Sequence, residues 1–356
     1  MQGFQHKKFE KLKKNKILVG LGHPAHYHLF KHIILNKTFD TIVVCSDKDI
    51  LIELLELNHV DYIKLTKRDS SKNLFLKFLK IFLSSIRLIR IVKKERPELL
   101  VGCLTQISWA GWFCKKKVLF FAEDDFAYTK IQGKMTYPFV THVVTAKGVN
   151  VGPYSRKQIT YPSYQKLAYL HPDNLAPENG QHLIDKYKLA KDFFIIRLVN
   201  LSAHHDKNIS GICTEELEKI VSQLCKIGQV IISAEKKLDP QWSKFQIPLD
   251  INDIHHLMKI SRGVISDSQS MTVEAALLGV PNIRINDFKD KISILKELEY
   301  TFELTKSFFP NTIQEIEIEE FVSQNSITWQ KRKELLLENK INPLPFYENL
   351  IKEHCA

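Results

Sequence analysis

Short runs of β-branched and aliphatic residues alternate with helix-period segments from Lys16 onward, and that order leaves few folds open. Strands are expected at Ile17–Leu21, Thr41–Cys45, Tyr62–Leu65, Glu98–Cys103, Val118–Ala122 and His142–Thr145. Helices are expected between them, at about Tyr27–Asn36, Asp49–Leu57, Asn73–Glu95 and Gln106–Cys114. Alternation of this kind predicts a parallel sheet with helices on both faces, because each strand must return through a crossover.

The pattern breaks between Lys147 and Pro177, where Gly148, Gly152, Pro153, Pro162, Pro172 and Pro177 interrupt any period, so this stretch reads as an ordered connection between domains. A second alternating run follows: Phe193–Leu198, a Glu215–Lys226 helix, Gln229–Ser233, Ile254–Ile260, Gly263–Ser266, a Met271–Leu278 helix and Asn282–Ile285. With 356 residues the chain is long enough for two cores. The expected division is a Rossmann-like domain over 1–165, a second over 166–327, and a helical tail over 328–356 that returns to the first. Ligands of open α/β sheets bind at the C-terminal ends of the strands, so candidate residues are sought there.

The segment Ser266–Pro281 (SDSQSMTVEAALLGVP) is the most informative of these strand ends. It reads as a strand end, a loop of small residues and a helix stopped by Gly279 and Pro281. Amides in the first turn of a helix lack intrahelical partners and sit at the positive end of its dipole, which suits a diphosphate. Ser268, Gln269, Ser270, Met271 and Thr272 form that loop, and Glu274 lies one turn in, where a carboxylate can take ribose hydroxyls. The plainer reading is a helix capped by Ser270 or Thr272.

Other strand ends carry further candidates. His23 and His26 follow the first strand, and an imidazole there could act as a general base or stabilise a leaving phosphate; the structural alternative has His26 capping the helix and His23 bonding a loop. The spacing of His23, His26, His28 and His32 resembles a metal set, but no carboxylate or cysteine accompanies it, and no metal is expected. Glu123 opens the Glu123-Asp124-Asp125 run after an apolar strand and is a candidate acid or base, against a capping role for Asp124 or Asp125. His204 and Asp206 follow the Phe193–Leu198 strand. Arg197, inside that strand, needs an anionic partner, and Arg284 poses the same question. His256 is expected to be packed.

Three segments together resemble a known group: His23-Pro-Ala-His26, Arg197–Asp206, and Asp267–Pro281. They are similar to domain-of-unknown-function family 354, a glycosyltransferase-like group related to the non-hydrolysing UDP-N-acetylglucosamine 2-epimerases. The resemblance implies the GT-B fold, two doubly wound domains facing a central cleft. It also implies that Ser268–Thr272 holds a UDP diphosphate, that Glu274 holds the ribose, and that Glu123 is catalytic. One departure stands out: where epimerases place an aspartate after the fourth strand, this chain has Leu104-Thr105-Gln106. Loss of such a group typically costs about 10²–10⁴ in rate, so sugar transfer is the leading expectation and epimerisation the alternative, with a non-catalytic binder third.

The net charge of +11 and the pI near 9.1 favour an anionic partner. No aromatic RNA-binding signature, zinc finger or helix-turn-helix is present, so nucleic acid is not expected. The implied partners are a UDP-sugar donor and a sugar or lipid-linked acceptor, with no separate cofactor. The six cysteines form no CxxC pair and read as buried, reduced thiols of a cytoplasmic protein. In the Asn73–Glu95 helix, Phe75, Leu79, Phe82, Ile86 and Ile89 are expected to face the core. Further apolar residues, including Phe78 and Leu83, widen that stripe, and a basic remainder leaves a peripheral membrane contact open.

Overall fold

The structure is a computed structural model and describes residues 14–48, 50–66, 74–199, 210–235 and 237–355. The first sheet comprises β1 (Lys16–Leu21), β2 (Asp40–Ser46), β3 (Tyr62–Thr66), β4 (Leu99–Gly102), β5 (Lys117–Phe121), β6 (His142–Ala146) and β7 (Gln158–Tyr161). The second comprises β8 (Phe193–Leu198), β9 (Gln229–Ala234), β10 (Gly263–Ser266), β11 (Asn282–Ile285) and β12 (Lys306–Phe308). The chain divides into two compact units. One holds the chain to Phe120 with Phe139–Thr141 and the segment from Glu348; the other holds Phe121–Pro138 and His142–Tyr347.

The seven-stranded sheet has the order β3-β2-β1-β4-β5-β6-β7, with β1 pairing in parallel with both β2 and β4. Its order reverses between β1 and β4, which makes their C-terminal ends the switch point. Ile17, Leu18, Val19 and Leu21 are fully buried, as expected of a strand covered on both faces. β1 and β4 approach closely at paired glycines, Gly20 and Gly102. Gly102 has φ of +146°, and a Cβ there would lie 2.3 Å from the Gly20 carbonyl oxygen. Only glycine fits that approach.

The five-stranded sheet has the order β12-β11-β10-β8-β9, all parallel, and reverses between β8 and β10. Ile196, Leu198, Ile265, Ile283 and Ile285 pack with the helices Thr214–Leu224 and Glu315–Ser323 into one core. Both helices are capped: Cys213 Sγ accepts from the Glu216 amide, and Gln314 and Glu317 form a capping box.

The two doubly wound parallel sheets expected from the alternation are present. The connection expected over Lys147–Pro177 differs, because Gln158–Tyr161 forms β7 and pairs in parallel with β6. β12 was likewise not foreseen. The Leu74–Glu95 helix turns a different face inward from the one its apolar pattern predicted: Ser84, Ser85, Leu88 and Val92 are buried, while Leu79 and Phe82 are exposed. Of the cysteines, all free, Cys45 and Cys103 are buried and Cys225 is exposed, so the expectation of uniform burial fails.

Candidate functional site

In the second unit the switch point brings together the ends of β8 and β10. Ser266 ends β10, and its Oγ accepts from the Ser268 amide at 2.8 Å, bending the chain into a helix that spans Gln269–Leu278. The helix starts two residues earlier than expected. Its cap is Ser268 rather than Ser270 or Thr272, since Ser268 Oγ accepts from the Met271 amide at 3.3 Å. Thr272 Oγ1 donates back to the Ser268 carbonyl at 2.7 Å. The Gln269 and Ser270 amides take no partner among the described residues, and both residues are half-buried. Asp267 is structural: Oδ1 accepts from the Val199 amide, and its carbonyl accepts from Asn286. Gly279, with φ of +72°, closes the helix.

One turn into this helix, Glu274 is buried against partners from two other segments. Tyr169 Oη donates to Glu274 Oε1 at 2.7 Å, and His255 Nε2 lies 3.6 Å from the same oxygen. Burial alone would raise the carboxyl; the His255 charge and hydrogen bond, then Lys166 and Tyr169, outweigh it and bring it down to about 2. Burial and the Glu274 charge together hold the Tyr169 phenol well above its ordinary value. His255 is therefore the packed imidazole, and His256, for which that was expected, is only half-buried.

Glu123 lies beyond the end of β5 and is gripped by Lys166, whose Nζ sits 2.5 and 2.6 Å from its two carboxylate oxygens. Lys166 is buried; burial works to lower it, and Glu123, Glu274 and Asp124 outweigh that and hold it above its ordinary value. Asp124 is pushed up to about 6, by burial first and by the Glu123 charge second. The residue is nonetheless exposed, which works against that rise. Asp125 is committed to structure, accepting from the Asn150 amide at 2.8 Å and from Ser293 Oγ at 2.7 Å.

Among the described residues Arg197 meets no buried carboxylate. Its Nη1 donates to Ser233 Oγ at 2.8 Å, and Nη2 pairs at 2.6 Å with the exposed Glu235. Arg284 is buried, and its Nε and Nη1 find no partner among the described residues; burial lowers its pKa against the opposing pull of Glu299 and Asp290. His204 and Asp206 lie outside the described residues. A cavity of about 580 Å³ bordered by Ser293, Glu297, Phe302 and Lys340 contains none of the sequence-predicted site residues. Within it, Lys340 Nζ donates to Glu297 Oε1 at 2.6 Å.

In the first unit, His23 and His26 stand at the β1 end of the switch point. His23 caps the Pro24–Leu35 helix, its Nδ1 accepting from the Ala25 amide at 3.2 Å, and His26 Nδ1 accepts from the Gly22 amide at 3.0 Å. The structural roles are thus the reverse of those anticipated. A backbone amide can only donate, so each Nδ1 is unprotonated and the neutral ring carries its proton on Nε2. In that tautomer Nε2 is a hydrogen-bond donor. Past β4, Cys103-Leu104-Thr105 supplies no carboxylate. Among the described residues no group of three or more His, Cys, Asp or Glu side chains is placed to hold a metal ion.

Sequence reasoning missed Lys166, Tyr169 and His255 as parts of this cluster. The available signal was a lysine and tyrosines in the apolar stretch Tyr164–Leu170, which helical or strand periodicity does not flag.

Solved structures share this architecture over nearly the whole chain. MnaA of S. aureus, solved with UDP, matches with a TM-score of 0.64 at 13% identity, covering 95% of this chain and 98% of that one. The UDP-GlcNAc 2-epimerase of Neisseria meningitidis, bound to UDP-GlcNAc, matches with a TM-score of 0.64 at 15% identity, covering 95% and 99%. The spinosyn forosaminyltransferase SpnP matches with a TM-score of 0.63 at 12% identity, covering 95% and 99%. The fold is GT-B. No family model matches the chain, family 354 included, and no curated protein matches it in sequence.

Proposed function

We propose that this protein is a GT-B enzyme that binds a nucleotide-sugar, most simply a UDP-sugar, and transfers the sugar to an acceptor in surface polysaccharide or glycolipid assembly. The observation that carries the reading is the start of the Gln269–Leu278 helix at the β8/β10 switch point. Two amides there take no partner among the described residues, and Glu274 is buried one turn further on. Helix amides of this kind bind phosphate, and an ionised carboxylate beside them accepts from ribose hydroxyls. Solved structures of the same fold include one with UDP and one with UDP-GlcNAc, which supports the choice of base.

Asp124 is the base we assign to the acceptor hydroxyl. Glu123 is held on both oxygens by Lys166, whereas Asp124 reaches solvent and has its pKa raised toward the range where a base works best. The rate is therefore expected to fall as pH drops below about 6, because the carboxylate must be unprotonated. Glu123→Gln removes a charge that raises Asp124, so the acidic limb of the pH–rate profile should move to lower pH; an unmoved limb would remove Asp124 from the role.

The second reading, an isomerase, remains attached to the epimerase-like fold, and the missing carboxylate after β4 weighs against it. Incubation with UDP-N-acetylglucosamine alone separates the two. Transfer predicts unchanged sugar without an acceptor, and a C2-epimer among the products would establish the isomerase instead.

A further inference from the structure

The Leu74–Glu95 and Thr105–Cys114 helices of the first unit pack together and leave a continuous apolar face uncovered. Phe78, Leu83, Trp112 and Phe113 are 48, 55, 64 and 57% exposed, and Leu79 and Phe82 are exposed beside them. Phe78 stacks edge-on against Trp109, 5.9 Å between ring centres, and both Trp109 and Trp112 meet Phe139, at 6.4 and 5.7 Å. The rings thus form one strip that joins the two helices. At about 100° per residue, Phe78, Leu79, Phe82 and Leu83 occupy an arc opposite the buried arc of Ser84, Ser85, Leu88 and Val92. All six side chains are exposed, and contiguous apolar surface rimmed by polar residues marks a contact with something else.

The charge around the strip says what that is. Arg87, Arg90, Lys93 and Lys94 continue along the exposed side of the first helix, and Lys115 follows the second; all five are exposed. Lys93 Nζ sits 5.2 Å over the Phe113 ring, so cation and apolar surface are interleaved. Neither Leu74–Lys94 nor Thr105–Lys117 contains an aspartate or glutamate. A second copy of the chain would set these cations against cations. An anionic bilayer meets both features, with the aromatic and aliphatic side chains at the level of the headgroups and the Lys and Arg side chains on lipid phosphates.

We propose that this face docks the protein on the surface of an anionic lipid bilayer, without spanning it. No described helix is long and apolar enough to cross one. The proposal stands apart from the nucleotide-sugar reading, and its test uses no nucleotide.

Flotation of the full chain with phosphatidylcholine vesicles, with and without phosphatidylglycerol, tests it directly. The wild type is expected to float with the mixed vesicles, to stay behind with phosphatidylcholine alone, and to be released by high salt. Trp112→Ala/Phe113→Ala should lower partitioning to mixed vesicles by at least about tenfold while leaving the thermal unfolding profile intact, since both residues are exposed. Phe82→Asp provides a second, independent variant with the same expected loss. Failure of the wild type to float with mixed vesicles overturns the proposal, as does equal flotation of the variants. Sedimentation velocity showing a dimer that Trp112→Ala/Phe113→Ala dissolves would also overturn it, assigning the face to a second copy.

Discussion

Glu274 combines burial, an aromatic hydroxyl and an imidazole at one carboxylate, and the balance among them sets its contribution to folding. Its carboxyl is lowered from the ordinary 4.5 to about 2, so the stability it adds is complete above about 4.5 and is lost as pH falls toward 2. Glu274→Gln is expected to cost about 3 kcal/mol at neutral pH, by denaturant unfolding, and the deficit should shrink across that window. A deficit independent of pH would show that the His255 and Lys166 charges are not what holds the carboxylate. Arg284 runs the other way. Its guanidinium is buried with two nitrogens unpartnered among the described residues, so Arg284→Met should leave stability unchanged or raise it by up to about 2 kcal/mol. At this scale the sequence revealed Glu274 and Glu123 through their places after strands. It hid Lys166 and Tyr169, because they belong to a single-turn helix, Leu167–Leu170 with Lys166 at its cap, too short to show a hydrophobic period.

Among elements, the strands were readable where both faces are buried, as in β1 and β8, since continuous apolar runs have no other use in a fold of this class. β7 and β12 escaped because each is short and each lies outside the regular alternation. The Leu74–Glu95 helix shows why hydrophobic periodicity can point to the wrong face. Ser84 and Ser85 take core positions by donating to the Ile81 carbonyl at 2.9 and 2.7 Å, and Gln106 Nε2 donates to Ser84 Oγ at 3.0 Å. Polar groups satisfied this way fill a buried face and release apolar residues to the surface. The contact between β1 and β4 yields a sharp prediction. Gly102→Ala would place a methyl group 2.3 Å from the Gly20 carbonyl oxygen at a φ of +146°, and should destabilise the protein by at least about 3 kcal/mol, read from the unfolding midpoint. A change within half a kcal/mol, the range of ordinary surface substitutions, would mean the strands separate without cost.

For the molecule as a whole, two sheets with reversed strand order fix where chemistry can sit, and the second sheet places a helix start with available amides at that position. The central claim is that these amides bind the diphosphate of a UDP-sugar. Gln269 is the first residue of the helix, and Ser268 before it is extended, with φ of −83° and ψ of 125°, the conformation a following proline favours. Gln269→Pro therefore removes one amide donor while keeping the helix. The most direct measurement is calorimetric titration of UDP into the wild type and this variant, with GDP, CMP and TDP as comparisons. The account predicts that UDP binds the wild type more tightly than the other three, and that the variant, folded to the same melting profile, loses about tenfold or more in affinity. Absence of UDP binding by the wild type, or equal affinity in the variant, would contradict it.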